Sequence, residues 1–169
     1  MPASSSTSAR ALRAAALLLP LLLPLPASAT LADLSLERLD RRGEFALAGR
    51  PQQVLMLTFF EPQCSWCQRQ LRALGELAQS CDPQLQPVAV GINGREGALR
   101  RELRRARVRY PAVRASRELL RRVGDVPATP WTLLMDGSGT VLATLRGYVS
   151  AGRLAAAFAD YCPAGEDGS

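Results

Sequence analysis

The chain has 169 residues, of which 21 are basic and 15 acidic, so its formal net charge is +6. Every basic residue is an arginine and there is no histidine, which excludes acid–base catalysis by imidazole and metal ligation by histidine. The four cysteines are an even set, and an even set in an exported chain commonly pairs into disulfides.

The first 29 residues have the organisation of an export signal. Arg10 and Arg13 precede a charge-free run over residues 14–32, and Ala27-Ser28-Ala29 supplies a small-residue cleavage pattern. We expect cleavage after Ala29 and a periplasmic product. The alternative is an uncleaved N-terminal membrane anchor. Three prolines interrupt the run, however, and a spanning helix needs about 20 apolar residues.

The rest of the chain is long enough for one domain with its own core. We predict a domain over residues 30–162 and a polar, flexible tail over residues 163–169. Residues 95–122 contain 11 arginines and three glutamates, which predicts a solvated helix face. An anionic membrane surface or an acidic partner protein is the alternative, whereas export argues against nucleic acid as a partner.

Apolar residues mark an alternation of strands and helices along this domain. One or two short strands are expected over residues 34–47, and Val54–Phe60 has the uncharged sequence of a buried strand. The elements that follow are a helix over residues 64–80, a strand over 88–92, a helix through Leu99, Leu103 and Ala106, a short strand over 110–113, a helix between Ser116 and Gly124, a hairpin of residues 131–135 and 140–145, and a last helix from Ser150 through Leu154, Phe158 and Tyr161. This order predicts an α/β fold whose sheet has an antiparallel edge.

The sequence Cys64-Ser65-Trp66-Cys67 lies where the buried strand turns into a helix. Cys64 would be at the helix N-terminus, where free N–H groups and the helix dipole favour a thiolate and lower the pKa of a cysteine below the ~8.5 of a free thiol. Cys67, one turn into the helix, would be more buried. The asymmetry predicts that Cys64 attacks a substrate disulfide and that Cys67 then resolves the mixed disulfide.

Two structural alternatives compete with this redox role. A zinc site needs about four ligands, and the chain has neither a histidine nor a second CxxC motif. The second alternative is a purely structural Cys64–Cys67 disulfide, but a cysteine at a strand-to-helix junction is in a reactive position. We therefore expect the two cysteines to be catalytic and expect neither a metal ion nor another cofactor.

Three motifs in the chain repeat a known pattern. They are Phe-Phe-Glu-Pro-Gln-Cys-Ser-Trp-Cys at residues 59–67, Val-Pro-Ala-Thr-Pro-Trp-Thr at 126–132, and Asp-Gly-Ser-Gly at 136–139 followed by Gly147. With them the chain resembles the thioredoxin superfamily and, within it, the TlpA/ResA-like periplasmic thiol–disulfide oxidoreductases. The resemblance implies a thioredoxin-like fold, with a central mixed β-sheet flanked by helices and a TlpA-like helix and strand inserted over residues 97–116.

The resemblance also implies roles for further residues. Pro130 would be the cis-proline beside the cysteines, Thr129 would pair through its backbone with a bound peptide, and Trp66 would offer an apolar face to a protein substrate. The superfamily carries a buried acid six residues before the first cysteine, where this chain has Thr58. Proton transfer to the second cysteine would then need another group. Glu61 is the nearest carboxylate in sequence, and the alternative for it is a solvated loop acid.

The implied topology also suggests how the other two cysteines pair. Cys81 follows the active-site helix, Cys162 ends the last helix, and in a thioredoxin-like fold these helices end side by side. We therefore predict a structural Cys81–Cys162 disulfide. The alternative is a second redox pair that relays electrons.

A reductant of protein disulfides is the function that the resemblance implies first, acting as a monomer on protein thiols and disulfides with electrons from a membrane redox partner. A disulfide oxidant or isomerase is the first alternative, because neither a buried acid nor a charged residue inside the CxxC motif fixes the direction. A Cu(I)-binding module with two thiolate ligands is the second, although no methionine cluster supports it.

Overall fold

A short ribbon forms the N-terminal part of the described chain. The computed structural model describes residues 30–81 and 84–162, so the expected signal peptide (1–29) and tail (163–169) lie outside the described residues. A single 3₁₀ turn, Leu31–Asp33, leads into β1, Ser35–Glu37, and β2, Glu44–Ala46, which pair antiparallel. The prediction of short strands over residues 34–47 is confirmed.

A five-stranded mixed sheet forms the centre of the domain. Its strands are β3 (Val54–Phe60), β4 (Leu85–Gly91), β5 (Ala112–Arg114), β6 (Trp131–Met135) and β7 (Val141–Arg146). They lie in the order β5-β4-β3-β6-β7, with β3, β4 and β5 parallel and β6 and β7 forming the antiparallel edge. Every residue of β3 is buried, as expected for a central strand that is covered on both faces.

Four helices follow the strands in the predicted alternation. They are α1 (Ser65–Cys81), α2 (Glu96–Arg105), α3 (Arg117–Val123) and α4 (Ala151–Ala157). α3 begins where expected, because the Ser116 hydroxyl accepts a hydrogen bond from the Leu119 N–H at 3.0 Å. It ends at Gly124, whose φ of 76° is unfavourable for other residues. α2 and β5 occupy the segment where the inserted helix and strand are expected.

Alternate residues of β3 divide the core between the two faces of the sheet. Leu57 and Phe59 point to the face covered by α3 and the N-terminal ribbon. Met56 and Phe60 point to the face covered by α1, α2 and α4. The predicted α/β fold with a central mixed sheet flanked by helices is confirmed.

Element ends differ from the sequence expectation by two residues or more in three places, and one is the start of β5, which lies at Ala112 rather than at residue 110. β4 begins at Leu85 rather than at residue 88, because parallel pairing with β3 carries Gln86 and Pro87 into the ladder. The last helix ends at Ala157 and continues as a 3₁₀ turn over Ala159–Tyr161, so Tyr161 leaves the predicted buried face and is 38% exposed.

Candidate active site

Cys64 occupies the N-cap position of α1. The tight turn between β3 and α1 places Gln63 at a φ of 63° and leaves Cys64 immediately before Ser65, the first helical residue. The Cys67 N–H donates a hydrogen bond to Cys64 Sγ at 3.1 Å, so the sulfur takes the place of an N-capping oxygen. A negative charge on this sulfur would face the positive end of the helix dipole.

The two cysteines of the motif form a disulfide, with Cα atoms 5.2 Å apart. Cys67 is only 1% exposed and packs among Leu71, Phe60 and other apolar side chains, whereas Cys64 is half-buried. An incoming disulfide can therefore reach Cys64 more readily than Cys67. The environments of the two sulfurs are as different as the sequence pattern predicts.

Thr129, the residue before Pro130, lies directly against Cys64. The bond between Thr129 and Pro130 is cis, and the Thr129 carbonyl oxygen is 3.9 Å from Cys64 Sγ. The Thr129 hydroxyl oxygen is 3.8 Å from the same sulfur. The loop before β6 thus brings both a carbonyl and a hydroxyl to the more accessible cysteine.

Glu61 approaches this cysteine through Thr129. The Thr129 hydroxyl donates to Glu61 Oε1 at 2.6 Å, and Asn93 Nδ2 donates to Oε2 at 3.3 Å. The described contacts of Glu61 do not include a hydrogen bond to Cys67. The carboxylate therefore contacts Cys64 through the Thr129 hydroxyl, and its role in proton transfer to Cys67 stays a prediction.

A neutral pair fills the position of the superfamily's buried acid. Thr58 on β3 is 1% exposed, and its hydroxyl is 3.0 Å from that of Thr132 on β6. The two residues face each other in the antiparallel register. One hydroxyl donates to the other, and since threonine does not titrate, no ionisable group occupies this place.

An exposed aromatic pair adjoins the CxxC motif. Trp66 and Tyr148 are 54% and 39% exposed, and their ring centroids are 5.7 Å apart. The Arg69 guanidinium lies 4.7 Å from the centre of the Trp66 ring. The fully buried Gln70 accepts a hydrogen bond from the Val149 N–H at 2.7 Å and so ties the Tyr148 loop to α1. The roles of Tyr148 and Gln70 could not be predicted from local sequence patterns, because their contacts join distant segments.

The carboxylate of Glu102 on α2 is buried, which the sequence pattern does not indicate. It is 3% exposed, and it accepts hydrogen bonds from Gln68 Nε2 at 2.6 Å and from Arg105 Nη1 at 2.9 Å. The bond to Gln68 fastens α2 to the first turns of α1. In the sequence, Glu102 lies among arginines on a polar helix, so the pattern there predicts an exposed ion pair rather than a buried carboxylate.

The remaining cysteines, Cys81 and Cys162, form a disulfide in the structure, with Cα atoms 4.4 Å apart. Cys81 is the last residue of α1, and Cys162 follows the 3₁₀ turn after α4. α1 and α4 pack on the same face of the sheet through Leu74, Leu77, Leu154 and Phe158. The bond therefore joins two helices at the end remote from the CxxC motif.

The arginine-rich segment forms part of the outer surface. Arg101, Arg104 and Arg107 are exposed, while Arg100 and Arg105 pair with Glu96 and Glu102 of the same helix. In the described ranges, no group of three or more histidine, cysteine or acidic side chains could hold a metal ion. Within those ranges the helices are also too short or too polar to cross a bilayer.

A thioredoxin-like fold with a disulfide-forming CxxC pair at a helix N-terminus defines a thiol–disulfide oxidoreductase. Comparison with known families agrees with this class. Residues 43–161 match the family model described as a thioredoxin-like domain, and the chain belongs to that family. A search of curated proteins gave no match.

Solved structures share the fold at low sequence identity. One is a secreted disulfide oxidoreductase from Mycobacterium tuberculosis that is homologous to E. coli DsbE, with 17% identity, a TM-score of 0.64, and coverage of 76% of this chain and 96% of that one. A putative thiol:disulfide interchange protein DsbE from Chlorobium tepidum is 20% identical, with a TM-score of 0.66 and coverage of 79% of this chain and 95% of that one. StoA from Bacillus subtilis is 16% identical, with a TM-score of 0.59 and coverage of 72% of this chain and 92% of that one.

Proposed function

We propose that this chain is an exported reductant of protein disulfides that acts as a monomer and takes its electrons from a membrane redox partner. The observation that carries the proposal is the difference between the two sulfurs. Cys64 caps a helix at the surface, and Cys67 is buried behind it. A nucleophile must be accessible, whereas a resolving thiol needs to reach only its neighbour.

In the proposed reaction, the Cys64 thiolate attacks one sulfur of a client disulfide. The client disulfide breaks, a mixed disulfide forms, and the other client sulfur leaves as a thiolate that takes up a proton. Cys67, deprotonated, then attacks Cys64, which restores the Cys64–Cys67 disulfide and releases the second client thiol. Two electrons pass to the client, and the membrane partner would return them.

The client surface in this proposal consists of the Thr129 backbone beside the cis-proline and the exposed Trp66–Tyr148 pair. Aromatic rings give apolar contact area at a small cost in side-chain entropy. Trp66→Ala and Tyr148→Ala should therefore lose more activity toward an oxidised protein client with scrambled disulfides than toward glutathione disulfide. Tyr161→Ala is the matched control, since this aromatic is 38% exposed but follows α4 at the other end of the domain. Equal losses toward both substrates would contradict the assignment of this surface.

The reduction potential of the Cys64–Cys67 pair decides the direction of electron flow. It is measured by equilibration with glutathione, with Cys81 and Cys162 followed separately by peptide mapping. A value near the ~−270 mV of thioredoxin would support the reductant, and a value near the ~−120 mV of a strong oxidant would make disulfide donation the function. Failure of the pair to exchange with glutathione would contradict the redox role altogether.

Export rests on the basic, apolar and small-residue order of the first 29 residues. The M. tuberculosis protein that shares the fold is described as secreted, which is in keeping with this proposal. Expression in a Gram-negative host, followed by fractionation and N-terminal sequencing, should give a soluble periplasmic protein beginning at Thr30. A full-length product in the membrane fraction would favour the N-terminal anchor instead.

A further inference from the structure

Three side chains from separate segments form a continuous line of contacts at the active site. Glu61 follows β3, Thr129 precedes β6, and Cys64 caps α1. The Thr129 hydroxyl is 2.6 Å from Glu61 Oε1 and 3.8 Å from Cys64 Sγ. The carboxylate thus reaches the reactive sulfur through one hydroxyl group.

The Thr129 hydroxyl has a single proton to donate. In the disulfide form, the proton lies on the short bond to Glu61, because a carboxylate is the stronger acceptor and a disulfide sulfur is a weak one. When the pair is reduced and Cys64 ionises, its thiolate becomes a second charged acceptor for the same proton. Only one of the two anions can receive it at any moment.

We propose that Glu61 and the Cys64 thiolate compete for the Thr129 hydroxyl proton, and that this competition makes the Cys64–Cys67 pair more reducing. The inference deepens the proposed function and rests on it. While Glu61 is ionised it holds the hydroxyl and also repels the thiolate. A relay can also exchange the charge: Cys64 gives its proton to the Thr129 oxygen while Thr129 gives its own proton to Glu61. Glu61 is then neutral, Cys64 is a thiolate, and the Thr129 hydroxyl donates to that thiolate.

The direction of the effect on the potential follows from which form the competition disfavours. The thiolate exists only in the reduced protein, so weakening it raises the free energy of the reduced state and leaves the disulfide unchanged. The potential therefore becomes more negative. Each tenfold change in the equilibrium constant of this two-electron couple corresponds to about 30 mV.

Other charges near the site leave Glu61 without a neutralising partner. The charged or titratable side chains on the surrounding segments are Arg69, Arg95, Glu96, Arg114, Asp125 and Tyr148. Within residues 30–81 and 84–162, none of them forms an ion pair or hydrogen bond with Glu61, whose partners are Thr129 and Asn93. Arg69 lies over the Trp66 ring and Glu96 pairs with Arg100.

The test is a double-mutant cycle of Glu61→Gln and Thr129→Val, read as the pH dependence of Cys64 alkylation by iodoacetamide in the reduced protein. The thiolate displaces iodide, so the rate follows the thiolate fraction, and mass spectrometry assigns the modified cysteine. Glu61→Gln removes the competing charge and leaves a neutral amide oxygen, a weaker acceptor for the hydroxyl. We expect it to increase the thiolate fraction on the rising part of the profile about tenfold. Glu96→Gln, which removes an exposed carboxylate that pairs with Arg100 and not with Thr129, should change it less than about twofold.

In a Thr129→Val background, Glu61→Gln should increase the thiolate fraction at least threefold less, because only the loss of charge repulsion remains. In a Thr129→Ser background, which keeps a hydroxyl, the full increase should return. At a pH where Cys64 is ionised in both proteins, the potential of Glu61→Gln should be less negative by about 30 mV for a tenfold change in the Cys64 ionisation constant. An equal effect of Glu61→Gln with and without the hydroxyl, or no effect, would overturn the proposal. Because alkylation requires only a reduced thiol, these outcomes are read independently of whether the protein reduces clients.

Discussion

Breaking the Cys81–Cys162 bond should remove a large part of the stability of the domain. The two residues are 81 positions apart, and closing a loop of that length in the unfolded chain costs about 4.5 kcal/mol in the chain-entropy model. The same model gives roughly 1.5 kcal/mol for the Cys64–Cys67 bond, whose residues are three positions apart. The distant bond is therefore the main covalent restraint on the unfolded chain.

The assay is equilibrium unfolding in urea, followed by circular dichroism, in a Cys64→Ala/Cys67→Ala background so that one disulfide remains. Cys162→Ala is the informative variant, because Cys162 is half-buried and Cys81 fully buried. Replacing Cys162 with alanine therefore breaks the disulfide with a smaller loss of packing than replacing Cys81 would cause. We expect a loss of about 4 kcal/mol, which for a domain of this size lowers Tm by about 15 °C.

Reduction of the background protein with dithiothreitol gives an independent measure of the same bond. Its loss of stability should match that of Cys162→Ala, since both leave the helices in place and remove only the link between them. A loss below about 1.5 kcal/mol by both routes would refute the entropic argument. Peptide mapping that joined Cys81 to another cysteine would refute the pairing itself.

Three further changes test polar groups that are paired in the fold. Thr58→Val should cost about 1–3 kcal/mol in urea unfolding, because it leaves the Thr132 hydroxyl buried without its partner, whereas valine at both positions should be nearly neutral. Glu102→Ala should cost about 1–2 kcal/mol because it removes a buried carboxylate and the hydrogen bond that it accepts from the half-buried Gln68 amide, and Glu96→Ala, in an exposed pair, should cost less than about 1 kcal/mol. Burial raises the pKa of Asp40, but hydrogen bonds from an arginine side chain and the backbone hold it below its usual value. Its stabilising contribution is thus complete above about pH 4 and disappears as the pH falls through the lowered pKa. Asp40→Asn should therefore flatten the acid side of the stability profile.

The order of elements in the central domain could be predicted because local patterns agree with their tertiary setting. Val54–Phe60 has no charge and is the central strand, and Ser116 and Gly124 mark the two ends of α3. The start of β4 could not be predicted, because Gln86 and Pro87 interrupt the apolar pattern and join the sheet only through pairing with β3. Such pairing depends on the neighbouring strand and not on the local sequence.

The candidate site could be predicted where its residues form a local motif and not where it depends on distant contacts. The CxxC motif at a strand-to-helix junction identifies the two cysteines from a few consecutive residues. The bond between Thr129 and Glu61 joins residues 68 positions apart, and that between Gln70 and Val149 joins residues 79 apart. Side-chain contacts of this kind follow from the packing of loops, which the sequence pattern leaves undetermined.

The position of the active-site carboxylate has a consequence for client binding. At Thr58 an acid would be enclosed in the core, but Glu61 lies in a surface turn and contacts Thr129, whose backbone is proposed to pair with the client. A bound client strand would cover this turn and reduce the access of water to the carboxylate and the hydroxyl. Since exclusion of water strengthens electrostatic interactions, the competition at Thr129 should be strongest when a client is in place. Binding and the ionisation of Cys64 would then be coupled through one residue.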